Sequence, residues 1–177
     1  MSRKTLLAVL LVAVFATSAA PAAAEAPAMT VAEVRGAPAT SLEAPAAQAP
    51  AAPPPVVLVS SWDAQRVDAW ARGDLAALAA LYTAPSVAGR RDRAMLRSWL
   101  DRGLRVRGLR TQLLAVRELS RTRSTWRLLV TDRLVGGVAT GPGVRRSLPG
   151  DEPTTRVVRF RVVAGAWRVA AVRATAG

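Results

Sequence analysis

Histidine and cysteine are both absent from the 177 residues, which leaves few chemistries open. Ser-His-Asp and Cys-His nucleophile arrangements are excluded, as is any zinc site built on histidine or cysteine. Carboxylates and the single tyrosine, Tyr82, remain. Asp132 stands out because alternation along "TWRLLVTD" puts it on one strand face with Trp126, Leu128 and Val130. On a cavity wall, burial would raise its pKa and make it a general base. The competing reading leaves it at a strand end beside Arg133, in a salt bridge or in water. Tyr82 is either a hydrogen-bond donor to a bound oxygen or a core residue with its hydroxyl at the rim.

Five tryptophans in a chain with two phenylalanines and one tyrosine are first of all core volume. They also suit a flat apolar ligand, so the expected pocket lining is Trp70, Tyr82, Trp99, Trp126, Asp132 and Trp167. Asp68 and Asp74 fall at helix-surface and cap positions, and Asp151-Glu152 in a loop is a weak cation signal. "GGVATGPG" (136–143) is followed by neither Lys-Ser/Thr nor a helix, so it is not a phosphate loop. It reads as a mobile connection that could act as a lid. No cofactor and no metal are expected.

Three helices followed by strands must position these groups. Ser60 or Ser61 caps the first helix, with Asp63 in its first turn and Trp62 and Trp70 on its buried stripe. Gly73 ends it as a left-handed cap, and Asp74 caps the second, whose Leu75, Leu78, Leu81 and Tyr82 share a face. A third helix runs roughly from Asp92 to Arg102, carries Met95, Leu96, Trp99 and Leu100, and stops at Gly103. Strands are expected over 109–119, 124–135, 154–164 and 166–174, with 136–153 as a loop and Gly165 in a tight hairpin. Helices first and strands after imply an α+β domain, three helices on an antiparallel sheet of about four strands.

Ahead of this domain, Arg3 and Lys4, the apolar "TLLAVLLVAVFA" and the small "TSAAPAAA" have the layout of a secretory signal peptide over 1–24. An N-terminal membrane anchor is the alternative, although the apolar run is short for one. Residues 25–55 are Ala/Pro-rich and read as a disordered linker, and 56–177 as the folded domain. The formal charge is +13, and Lys4 is the only lysine. A basic domain raises nucleic acid as a partner, but export argues against it. The expected partners are an apolar or acidic small molecule, an envelope protein, an anionic membrane or wall surface, or a second copy through the sheet.

"AQRVDAWARGDLAALAALYT" (64–83) resembles the first helix, Gly-Asp joint and second helix of the nuclear transport factor 2-like (NTF2-like) superfamily, also called SnoaL-like or ketosteroid-isomerase-like. "GAWRVAAV", with Trp167, is similar to that family's Gly-x-Trp-x-Ile ending, and the resemblance covers about 59–174. It implies a curved sheet wrapped over the helices around a pocket open at one end. Members include both enzymes and binding or scaffolding domains, so fold alone does not choose between them. The leading expectation is an exported, non-enzymatic, envelope-associated binding or accessory domain. An isomerase-type enzyme using Asp132 with Tyr82, and a basic binder of anionic surfaces, are the alternatives.

Overall fold

The computed structural model describes residues 53–175. The expected signal peptide and nearly all of the expected linker lie outside the described residues. Among those described, no helix is long and apolar enough to cross a membrane. Helix α1 (Pro55–Arg72) starts at a proline, with Pro54 as N-cap, not at the serines. Proline suits the first helical position because its missing N–H would have had no intrahelical partner anyway. The helix therefore begins where the linker was expected to end, and Ser60 and Ser61 lie inside it. Gly73 closes it at φ 68°, and its N–H and that of Asp74 bond back to Trp70 O and Ala69 O at 3.1 and 2.9 Å. Asp74 then accepts from the N–H groups of Ala76 and Ala77 at 3.0 and 2.9 Å and starts α2 (Leu75–Ala80). The Gly-Asp joint is thus a stop and a start in consecutive residues.

Helix α3 (Val87–Asp101) begins five residues before the expected Asp92, because Ser86 caps it by accepting from Gly89 N–H. Asp92 consequently sits in the second turn, facing the interior. Between α2 and α3 the chain pairs with the sheet: Thr83 N–H donates to Val169 O and Val169 N–H to Leu81 O.

The sheet is antiparallel, in the order β1 (Arg105–Arg121), β2 (Thr125–Gly141), β4 (Thr154–Val163), β5 (Ala166–Ala174), with β3 (Val144–Leu148) paired to the far half of β2. Five strands replace the four expected. The stretch 136–153 is mostly not a loop: Gly136–Gly141 continue β2, Pro142 and Gly143 turn the hairpin, and β3 returns. Glycine is required at 141, where a Cβ would fall 2.6 Å from Leu104 Cδ2 and 2.8 Å from Gly103 O. These glycines mark close backbone approach within a ladder, so the lid expected of 136–143 does not exist. Register shifts in β1 near Arg107–Thr111, Leu113–Ala115 and Glu118–Ser120, and in β4 at Arg159–Phe160, are bulges. They bend the strands and curve the sheet over α1.

One face of the sheet is the core. Trp126, Leu128 and Val130 of β2, Val158 and Phe160 of β4 and Val169 of β5 are buried, as are Leu58, Val59 and Trp70 of α1. Removing each of the larger of these from water stabilises the fold by roughly 2–3 kcal/mol.

Candidate functional site

Helix α1 lays Trp62, Asp63 and Arg66 onto the inner face of the sheet at spacings that share one side of a helix. Trp62 is pinned by its indole N–H, which donates to Leu81 O at 3.2 Å, and its ring meets Tyr82 and Phe160 edge-on at 5.7 and 6.4 Å. Beneath it lies a cavity of about 120 Å³, walled by α1, α3, β2, β4 and β5. A second, larger cavity of about 630 Å³ lies between α1 and β1. Val59, Trp62, Asp63, Thr111 and Asp132 line both, and so form the partition between them.

Asp92 organises one wall. Its carboxylate accepts from Arg66 Nε and Nη2 at 2.7 and 2.8 Å, from Tyr82 Oη at 2.7 Å and from Trp70 Nε1 at 3.1 Å. Burial alone would raise the Asp92 pKa, but Arg66 and these donors outweigh it and hold the group below the usual carboxylate value. Burial likewise opposes the charge on Arg66, and Asp92 more than reverses this, so the guanidinium is held charged. Tyr82 moves upward, first by burial and then because ionising it would set a second negative charge beside Asp92.

On the partition the carboxyls differ. Asp132 forms an ion pair with Arg156 across the β2–β4 ladder. Asp63 has no ion pair among the described residues; its one hydrogen-bond donor is Thr111 Oγ1 at 3.4 Å. Its pKa is raised, chiefly by burial, against the opposing pull of Arg66. Of the three carboxyls lining the smaller cavity, Asp92 and Asp132 are neutralised by arginine and Asp63 is not.

Of the six expected lining residues, Tyr82 and Asp132 reach the cavity and the four tryptophans do not. Trp70 is 1% exposed, behind Arg66 and against Asp92. Trp99 is buried at the end of α3 with the Arg102 guanidinium 4.9 Å above its ring. Trp126, fully buried, donates to Glu118 at 2.8 Å and leans on Trp167 at 5.7 Å, across the ladder from the cavity-lining Phe160. Nor do Tyr82 and Asp132 form an acid–base pair. The hydroxyl of Tyr82 is committed to Asp92, and Asp132 to Arg156, so general-base catalysis by Asp132 with Tyr82 as donor is not what this geometry offers. In sequence, Asp63 reads as a dipole-complementing first-turn residue and Asp92 as a helix start, and neither as part of a site. Arg66 at four residues from Trp62 and Trp70, on a stripe otherwise apolar, is the available sign that a buried acid has to meet it. Among the described residues no group of three or more carboxylates converges to hold a metal ion.

No protein-family model matches the chain, and no curated protein matches it significantly. Solved structures resemble it in fold. The intermembrane space region of the chloroplast protein ARC6 is 12% identical, with 67% of this chain and 92% of that one covered and a TM-score of 0.48. Aln2 from a Streptomyces species is 15% identical over 69% of this chain and 93% of its own, with a TM-score of 0.46. An NTF2-like protein with a cystatin-like fold from Novosphingobium aromaticivorans is 14% identical over 67% and 79%, with a TM-score of 0.40. The chain is α+β, with its helices first and a curved antiparallel sheet after them, the architecture that its sequence resemblance to NTF2-like proteins implies. What those proteins do does not pass to this one.

Proposed function

We propose that the domain is a binding module for a small, largely apolar molecule carrying one hydrogen-bonding group, and that it works in the cell envelope after export. The observation that carries this is Asp63, a carboxyl on the partition between two apolar-walled cavities with no arginine of its own. Asp63 is half-buried and receives only the long hydrogen bond from Thr111, so a ligand hydroxyl or amine would give its carboxyl a second donor. A cavity of about 150 Å³ holds benzene, so the smaller cavity, at about 120 Å³, suits a single small ring or branched chain. The larger one alongside has room for the remainder of a longer molecule. A binding role is favoured because Asp132 is ion-paired with Arg156 and the Tyr82 hydroxyl is committed to Asp92. Export rests on the signal-peptide pattern at 1–24.

Phenol and benzene, titrated separately while amide resonances of Val59, Trp62 and Thr111 are followed by NMR, test the reading. Phenol should shift these residues at lower concentration than benzene, and the preference should vanish in Asp63→Leu. Failure of phenol to move any of them would refute it. A second reading, proton transfer by Asp63 to and from a bound carbon acid, draws on its raised pKa. It predicts Asp63-dependent deuterium exchange at the α-carbons of cyclopentanone in heavy water; absence of exchange leaves binding alone.

A further inference from the structure

Among the described residues the sheet's other face carries no helix, and it is arranged by register. Arg127 lies opposite Arg159 across β2 and β4, and Arg161 opposite Arg168 across β4 and β5. Arg117 of β1 and Arg173 of β5 bracket the intervening Leu129–Val157 pair. Five of these six arginines are exposed and Arg168 is half-buried. None makes an ion pair among the described residues, and the buried Nε of Arg168 has no acceptor. Among the described residues the acids are elsewhere: on or capping the helices, at Glu118 and Asp132 in inward register, and at Asp151 and Glu152 between β3 and β4.

Like charges placed directly opposite each other on a ladder weaken it. Two such pairs, with Arg117 and Arg173 on the same face, are a local conflict that an apposed anionic surface would relieve. We infer that this face docks the domain on an anionic lipid surface. The choice follows from what the face lacks as well as what it carries. A site for single-stranded nucleic acid uses exposed aromatics as stacking platforms, and a protein interface is anchored by buried aromatic side chains. Here Leu129 and Val157 are the central apolar residues, both half-buried and flush among the arginine stems. A second copy on the same face is disfavoured too, because a two-fold interface would set these arginines against themselves.

The described fold and its whole core lie within 53–175, so the chain from Glu25 onward is the species to test, free of the apolar segment before it. Co-sedimentation should show binding to phosphatidylcholine vesicles containing about one-third phosphatidylglycerol, and none to pure phosphatidylcholine. Binding should collapse between about 0.05 and 0.5 M salt as screening shortens to roughly 4 Å. Each Arg→Gln change at 127, 159 or 161 should weaken it about five-fold, and the triple change roughly a hundred-fold. Thermal melting of the same variants should show no loss of stability, since each removes a like-charge opposition or an exposed cation. Binding unchanged by the triple substitution, equal binding to neutral vesicles, or retention by a soluble phosphodiester polymer with no vesicle binding would each overturn the inference. Dimerisation that disappears in the triple variant would overturn it as well. Phenol binding is read separately, so loss of one result leaves the other standing.

Discussion

Asp92→Asn isolates the side chain on which the inner wall depends. The carboxylate receives four hydrogen bonds, two of them from a single guanidinium in bidentate geometry. Its side chain is 8% exposed and that of Arg66 13%, so water cannot take over either charge. Asparagine preserves the shape and one acceptor oxygen, but turns an amide toward donors and leaves Arg66 charged without a counter-ion. Breaking a buried pair from one side costs about 3–5 kcal/mol; the retained oxygen argues for the lower end, about 3 kcal/mol. With a urea dependence of about 1.5 kcal/mol per molar, the unfolding midpoint should fall by roughly 2 M. The pH profile adds an independent sign. Asp92 titrates lower in the folded chain than in the unfolded one, so its contribution is complete above the ordinary carboxylate pKa and is lost as pH falls through the folded value. Acid should therefore narrow the gap between wild type and variant. Replacing both partners, Arg66→Met with Asp92→Leu, should recover only part of the loss, because it removes the orphaned charge but leaves the buried donors of Tyr82 and Trp70 without their acceptor. A loss below about 1 kcal/mol, or a gap that widens in acid, would show that the pair does not carry the wall as argued.

Asp63→Asn should behave in the opposite sense. The folded pKa of Asp63 is raised by burial, so its ionisation erodes stability as pH rises from the unfolded value through the folded one. The variant should melt higher than wild type at neutral pH and converge with it in acid, and a lower neutral melting point would refute the assignment. Gly89→Ala, in the first turn of α3, would place a Cβ 2.6 Å from Tyr82 Cβ and Cγ. It should cost about 1–3 kcal/mol in denaturant unfolding, whereas a neutral result would mean that α3 can move off the Tyr82–Asp92 contact.

The elements were legible where local chemistry decides them. Gly73 and Asp74 act as read from the sequence because a left-handed cap and an N-cap need only their own neighbours. The inward face of β2 was legible because strand alternation is geometric, and it put Asp132 with Trp126, Leu128 and Val130 correctly. The start of α1 was misread because Pro54 and Pro55 look like linker composition, although proline at the first helical position is favourable. The hairpin at 136–148 was misread because glycine signals a loop locally, while here it answers a close approach between strands distant in sequence. The site was the least legible. Its central contact joins Arg66 to Asp92 over 26 residues, and whether a tryptophan faces a cavity or packs behind it depends on where the curved sheet meets α1. No spacing within an element encodes that.

The smaller cavity also has an order of assembly. Trp62, Asp63 and Arg66 belong to the first element of the domain, while Arg156, Phe160 and Val172 come from its last two strands. During synthesis the helix is complete long before the residues that enclose it. Until Asp92 appears Arg66 has no counter-ion, and until β5 docks the smaller cavity has no far wall. The smaller cavity is therefore closed only once β5, with Val172, is in place.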